Sequence, residues 1–591
     1  MRIFRFFRIG ISRLTTTGRH FQQTRLIMEK AYVRRLEDSV DFHLSFHFQH
    51  EVYGINRQFN FNRQLSENVK ELLSRIQTSI DKSLTKYKKK LKKQKSEQTL
   101  DDSCEIPVIL MRDGEPVPGD TECRDVLFGE GRLCLRIFTT EFVVVLNAPW
   151  INMITLPTSI MVGFPVSPNR FETVFTLKDC SLFTWYRGDN KNEDSWFEVG
   201  SGFYYTPTVN DLGYHLKVTC VPGNKDKKGL PADAVSKNSV EAGPGQCPFE
   251  LRHLFTAERI HWPSFRVISY NILADLYADS DVARTQLFPY CPPYALDMDY
   301  RKQLILKEIL GYHGDIICLQ EVDSKVFNRY LEPVLTCEGF TGIFEKKGGG
   351  QVSEGLAFFF HNTKFRLLDC HSICLAEELK ERPTFAELWG KIKTNEPFVT
   401  RFLARKTSVY VVVLECINEP EKLLVVGNTH LYFHPDADHI RLFQAAMAIL
   451  YVQEIVSALS VQLPEKQIST IMCGDFNSTP DCGVYQLMTT QFIPTDYQDW
   501  NSNVGEAVKG VSLSHSIPLE SACGTPEFTN FTAGFAGCLD YIFYQRNTLS
   551  VKQVVPLPTE EELRLHVALP NVVFPSDHVA LVADITWRTS M

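Results

Sequence analysis

Between residues 269 and 578, seven short segments each put a carboxylate, amide or imidazole at the end of an apolar run. They are Ser-Tyr-Asn271, Leu-Gln-Glu321, Glu354-Gly-Leu-Ala, Gly-Asn428-Thr-His430, Gly-Asp475-Phe-Asn477, Leu-Asp540-Tyr and Ser-Asp577-His578. Strand ends gather at one edge of a sheet, so ligands distant in sequence can meet there. Glu, Asp and Asn are hard oxygen donors, and histidine is in the minority. That set selects Mg²⁺, with Mn²⁺ as the alternative, over zinc. The matching chemistry is phosphodiester hydrolysis, which needs charge neutralisation, an activated water and a stabilised transition state. Glu321 can hold a metal against a phosphate oxygen. Asp475, fixed by Asn477, can orient or deprotonate the water. Asn428, His430 and His578 can donate to the phosphate, and a carboxylate beside His578 would keep it protonated or set its tautomer. Taken singly the motifs are ordinary: Gly-Asp-x-Asn can be an Asx-turn and Ser-Asp-His a helix N-cap. Their joint occurrence argues for a catalytic constellation.

The elements needed to deliver these groups are legible. After residue 249 apolar strands such as 266–270, 316–320, 423–427 and 471–474 alternate with helices such as 299–312 and 438–459, the pattern of an α/β domain. Ahead of it, residues 106–247 are strand-rich, with turns at Asp113-Gly, Gly188-Asp-Asn and Pro222-Gly-Asn. Cys180, Trp185, Tyr214 and Cys220 suggest a partly immunoglobulin-like accessory domain, although Tyr214 precedes Cys220 by six residues where the tyrosine corner has two. Glu241-Ala-Gly-Pro-Gly-Gln is the expected hinge to a catalytic domain spanning 248–591.

Residues 29–105 predict a half-buried strand at 40–48, where apolar residues alternate, then an amphipathic helix through Leu65, Val69, Leu72, Ile76, Ile80 and Leu84. That helix ends in eight lysines between Lys82 and Lys95 and runs into a polar linker at 94–105. Residues 1–28 hold six arginines and no acid, with an amphipathic helical pattern, which is the composition of a mitochondrial transit peptide.

Charge follows the same division. Residues 1–95 carry 21 basic against 8 acidic side chains, a balance of +13, so the remainder of this −8 chain balances at −21. Basic character confined to one end speaks of targeting or a local anionic contact, not of a wholly basic nucleic-acid binder. Sixteen cysteines occur without a C-x-x-C pair, so neither a zinc site nor a disulfide framework is expected. No window reads as a membrane span, since residues 142–169 are interrupted by prolines such as Pro149, Pro157 and Pro165.

In this order the motifs resemble the endonuclease/exonuclease/phosphatase superfamily, over residues 269–587. The resemblance implies a two-layer β-sandwich flanked by helices. Ser-Tyr-Asn-Ile-Leu-Ala-Asp (269–275), Leu-Asp-Tyr-Ile (539–542) and Ser-Asp-His (576–578) look like its deadenylase branch. It implies that Glu321 ligates metal, with Asn271, Asp475 and Asn477 completing the metal and water site. It further implies that His430 and His578 contact the scissile phosphate, supported by Asp540; Asn428 and Asp577 join the catalytic set on their own chemistry. Deadenylases grip the terminal adenine with an Asn, a Pro and a Phe, and the matching positions here are Asn530, Pro435 and Phe535. Stacking on an aromatic face stabilises a base by about 1–3 kcal/mol.

Tyr-Cys-Pro-Pro-Tyr-Ala-Leu-Asp (290–297), Cys-Gly-Asp-Phe-Asn-Ser-Thr-Pro (473–480) and Ile-Met-Val-Gly-Phe-Pro-Val (160–166) are similar to a mitochondrial 2′,5′-phosphodiesterase subfamily. That implies hydrolysis of 2′,5′-oligoadenylate and 3′ poly(A) tails to AMP in the matrix, with RNA as partner and neither membrane nor obligate protein partner. Two other readings stay open: a phosphoesterase of the same fold acting on a small nucleotide, and a non-catalytic RNA-binding protein.

Overall fold

The structure, a computed structural model, describes residues 29–50, 53–93, 107–189, 195–348 and 353–588. The expected transit segment and the linker at 94–105 lie outside the described residues, as do the side chains of residues 88–93. The chain forms two compact units, residues 1–148 and 149–591.

In the first unit a seven-stranded sheet runs in the order Ile55–Gln64, Asp41–His50, Glu29–Arg34, Thr140–Leu146, Leu133–Ile137, Val108–Arg112, Glu115–Pro116. The alternating residues Phe42, Leu44, Phe46 and Phe48 turn one face of Asp41–His50 inward. They share a core with Val69, Leu72, Ile76 and Ile80 on the helix Val69–Lys93. The first strand pairs in parallel with Thr140–Leu146. The boundary expected at 105/106 is therefore corrected to 148/149. Sequence pattern locates strands, and pairing across 100 residues decides which sheet they join.

The second unit begins with a β-rich module: a hairpin of Trp150–Thr155 with Arg170–Val174, and a four-stranded antiparallel sheet ordered Phe197–Ser201, Leu177–Gly188, His215–Gly223, Ala232–Val235. The immunoglobulin-like expectation is not met in its details. Trp185 is buried with its indole N–H on Gly202 O at 2.9 Å, but Tyr214 is exposed. Phe183, Trp185, Leu216 and Val218 belong to the same apolar cluster as Ile305 and Ile309 of the helix Met298–Gly311. The module thus shares a core with the catalytic region instead of hanging from a hinge.

The remainder is the expected two-layer sandwich. One six-stranded sheet is ordered Phe340–Lys346, Glu354–His361, Ile316–Asp323, Ser264–Asn271, Leu581–Trp587, Leu549–Val554. The other is ordered Phe365–Cys374, Ser408–Cys416, Lys422–His430, Gln467–Asp475, Asp540–Gln545, Leu519–Ser521. Both faces of the central strands are covered. Tyr410, Val412 and Leu414 face the opposite sheet, while Val409, Val411 and Val413 meet the flanking helices. This is why those strands read as continuous apolar runs without alternation. The helix Asp438–Gln462 is long and apolar enough to cross a bilayer, contrary to the sequence reading. Its apolar residues from Ile440 to Ile449, with Tyr451 and Val452, are buried against the second sheet, and that packing accounts for its composition.

Candidate active site

Strand register assembles the site. In the second sheet His430 pairs with Asp475 across parallel strands, and Asp475 pairs with Asp540 across antiparallel ones, so three ligand-bearing ends stand in a row. In the first sheet Asn271 pairs with Gln320, one residue short of Glu321. The ladder is irregular between Leu319 and Val322, and Glu321 has φ of +53°. A bulge of this kind re-aims a side chain, and the left-handed conformation costs a non-glycine residue about 1 kcal/mol. Here it aims the Glu321 carboxylate at the facing sheet. Asn477, at φ +48°, makes a similar turn after Asp475.

Asn271 joins the two sheets. Its amide nitrogen donates to Glu321 Oε1 at 3.1 Å and to Asp475 Oδ2 at 3.0 Å, while its oxygen accepts from Leu273 N–H. Asn271 thus bridges two carboxylates through its nitrogen, and its oxygen keeps a second lone pair beyond the Leu273 bond. Asp475 is completed by the Asn477 N–H on Oδ1 at 2.9 Å, and Asn477 is tied to Leu431 O. The imidazole Nε2 atoms of His430 and His578 approach Asp475 Oδ2 to 3.5 and 3.6 Å. His578 Nδ1 lies 2.7 Å from Asp540 Oδ2, and the Thr529 hydroxyl donates to that same oxygen at 2.6 Å.

The two histidines carry opposite charge tendencies. Burial, with Lys347 and His578 nearby, holds His430 well below the usual imidazole range, so it is neutral. Burial also opposes charge on His578, but Asp540, Asp475 and Asp577 outweigh it and raise its pKa well above the usual value. The carboxylates are pushed the other way. Burial, then Glu354 and Asp577, lifts Glu321 to about 7. Burial and Asp540 lift Asp475 to about 7.

Hard oxygen donors crowded without a lysine or arginine ion-pair partner fit a divalent cation. Among the described residues no lysine or arginine pairs with Glu321 or Asp475, and the imidazoles of His430 and His578 stand 3.5–4.0 Å from them. Asp540 Oδ1 and Glu354 Oε2 are buried without a hydrogen-bond partner. Ligand atoms of Asp475, Asp540 and His578 lie within 4.8 Å of one another. Glu321 and Asp475, bound to one amide nitrogen, would hold the ion, which would neutralise them and polarise a phosphate oxygen.

Asn428 is placed elsewhere than expected. It is fully buried, donates to Leu319 O and Ala357 O, and accepts from Gln320 Nε2 at 2.8 Å. With its donors spent on the first sheet, it braces the sandwich and does not reach a substrate phosphate. Asp577 accepts from Asn530 Nδ2 at 3.2 Å, and Asn530 bridges to His578, so this amide borders the histidine. Phe535 stands 45% exposed at the tip of the hairpin joining Asn530–Phe531 to Ala536–Gly537, which leaves an aromatic face free. Pro435 is on an exposed loop after His430.

The sequence reading missed Thr529, Gln320 and the part played by Glu354. Thr529 carried no signal beyond standing next to Asn530. Glu354 closes a narrow cleft with Glu321, His430, Lys347, Leu356 and Ser408.

Comparison with known proteins agrees with this geometry. The sequence profile described as the Endonuclease/Exonuclease/phosphatase family matches residues 268–578. A second, described as the 2',5'-phosphodiesterase 12-like N-terminal domain, matches residues 148–241, the β-rich module. The rat protein named 2',5'-phosphodiesterase 12 is 38% identical over 95% of this chain and 95% of its own. The human protein of that name is 38% identical over 99% and 98%. The CCR4-Not complex 3'-5'-exoribonuclease subunit Ccr4 of Mycosarcoma maydis is 32% identical over 55% of this chain and 51% of its own.

Proposed function

Since the chain belongs to the endonuclease/exonuclease/phosphatase family, and over nearly its full length to the 2',5'-phosphodiesterase 12-like group within it, we propose that it is a Mg²⁺-dependent exoribonuclease that hydrolyses 2′,5′-oligoadenylate and the 3′ poly(A) tails of mitochondrial RNA, releasing AMP. The observation that carries the proposal is the meeting of the Asn271 amide, His430 and His578 around one oxygen of Asp475, with Glu321 held by that same amide.

Each group has a part in the reaction. Asp475, oriented by the Asn271 amide and the Asn477 N–H, takes a proton from the attacking water. The water oxygen bonds to phosphorus as the bond from phosphorus to the 2′ or 3′ oxygen of the preceding ribose breaks, and that oxygen takes a proton from solvent. His578, kept cationic by Asp540, donates to a non-bridging phosphate oxygen, and neutral His430 donates from the other side without adding charge. Mg²⁺ held by Glu321 and Asp475 would supply Lewis-acid polarisation of the phosphate. Asn530, Phe535 and Pro435 are assigned to the terminal adenine, with Phe535 stacking on the base. The Arg-rich, acid-free residues 1–28 support import into the mitochondrial matrix.

The test is digestion of matched 2′,5′ and 3′,5′ oligoadenylates, with oligo-U and oligo-C controls, in Mg²⁺ and in EDTA. AMP should appear from adenylates in Mg²⁺ alone. Equal loss of every homopolymer would remove the adenine assignment, and release of inorganic phosphate from a small nucleotide in place of AMP would overturn the exoribonuclease reading.

A further inference from the structure

Lys347 is a basic group held beside the site that the reaction above leaves unused. Its ammonium pairs with Glu354 Oε1 at 2.7 Å, and Glu354 is buried with its second oxygen unpartnered. The backbone around it is fixed from both sides: Lys347 N–H donates to Glu354 O at 3.0 Å, and Gly348 N–H donates to Ser408 Oγ at 3.1 Å. Gly348 packs against Cys374 so closely that a Cβ there would meet Sγ at 2.7 Å. Lys347 keeps 29% of its side chain exposed and lines the cleft with Glu321 and His430. A lysine rigidly mounted by a buried carboxylate yet open to solvent is suited to hold an anion.

Its position decides which anion. Contacts run from group to group: Asn530 adjoins His578, His578 adjoins Asp475, Asp475 adjoins His430 and shares the Asn271 amide with Glu321, and Lys347 and Glu354 line a cleft with these last two. With the terminal adenosine at the Asn530 end and the scissile phosphate at Asp475, the rest of the strand leaves past His430. We propose that Lys347 binds the first phosphate upstream of the scissile one, and that Glu354 is the positioning residue that holds it there. The inference rests on the oligonucleotide phosphodiesterase reading and adds a substrate-length preference to it. A dinucleoside monophosphate has no upstream phosphate, whereas a trinucleotide has one.

The experiment compares the 2′,5′-linked dimer and trimer of adenosine, both with free 5′-hydroxyls, on the full chain. Lys347→Gln should raise KM for the trimer about tenfold, ~1.4 kcal/mol, with kcat little changed and the dimer hardly affected. The salt dependence of trimer KM should weaken by about one phosphate contact. Lys347→Arg should restore most of the trimer preference. Because Lys347→Gln leaves a buried carboxylate unpaired, the Lys347→Gln/Glu354→Gln double variant is measured beside it, with melting temperature as the folding check. Equal losses on dimer and trimer, or no loss on either, in a folded variant would overturn the upstream-phosphate assignment while leaving the enzyme's reaction standing. If the parent chain cleaves neither substrate, the functional reading falls and this inference with it.

Discussion

A single carboxylate oxygen, Asp475 Oδ2, has the Asn271 amide and two imidazoles around it, and the chemistry follows from how each neighbour is charged. Asp540 keeps His578 cationic, so Asp540→Asn should lower the imidazole pKa and remove the charge as pH rises. We expect kcat/KM to fall by roughly 10²–10⁴ and the alkaline limb of its pH profile to move to lower pH. A profile that drops in height without moving would mean that Asp540 acts only by packing. Glu321 and Asp475 provide a second, metal-linked prediction. Burial raises both to about 7 in the metal-free fold, against roughly 4 in the unfolded chain. The fold therefore binds more protons than the unfolded chain between those values, and its stability is full at low pH and lost as pH rises through 7. Melting of the EDTA-treated chain should fall from pH 5 to pH 7.5, and Mg²⁺ should restore it at pH 7.5 with little effect at pH 5. Equal rescue at both values would break the link between these carboxyls and the ion.

The elements that present these groups are strands packed so closely that small changes at their ends should be felt. Gly474 precedes Asp475 at the end of Gln467–Asp475, and a Cβ there would lie 2.2 Å from Thr429 O on the neighbouring strand. Relief requires the backbone carrying Asp475 to move. Gly474→Ala should cost about 1–3 kcal/mol in urea unfolding and reduce kcat through displacement of Asp475. Unchanged stability would show that the strand end yields freely. Asn428 works at the same scale. It spends its amide on the first sheet and so fixes the separation between the two layers whose ends carry Glu321 and Asp475.

At the scale of the molecule, the chain is a phosphodiester-hydrolysing member of its family in which the β-rich module and the catalytic sandwich share one apolar cluster. All the candidate site residues lie between 271 and 578, within the unit 149–591. A truncation beginning at residue 149 should fold and hydrolyse its substrate. One beginning at residue 248 would strip Phe183, Trp185 and Val218 from Ile305 and Ile309, exposing apolar surface worth roughly 1.5–3 kcal/mol per side chain. It should aggregate, as read by size-exclusion chromatography. A soluble, active 248–591 piece would disprove the shared core.

By itself the sequence determined the residue types at strand ends, their order, and the fold and chemistry they imply. Asn271, Glu321, His430, Asp475 and His578 were all legible because apolar periodicity marks where a strand stops and a ligand begins. Tertiary structure alone decided which amides are spent. Asn271 bridges Glu321 and Asp475 and Asn428 braces the sandwich, because an amide's partners lie across the sandwich and spacing does not encode them. It also decided that strands 108–146 join a sheet begun at residue 29, and that a lysine with no motif stands beside Glu321. Sequence periodicity reports burial along one element, whereas pairing, desolvation and charge coupling arise only when distant elements close around the same few ångströms.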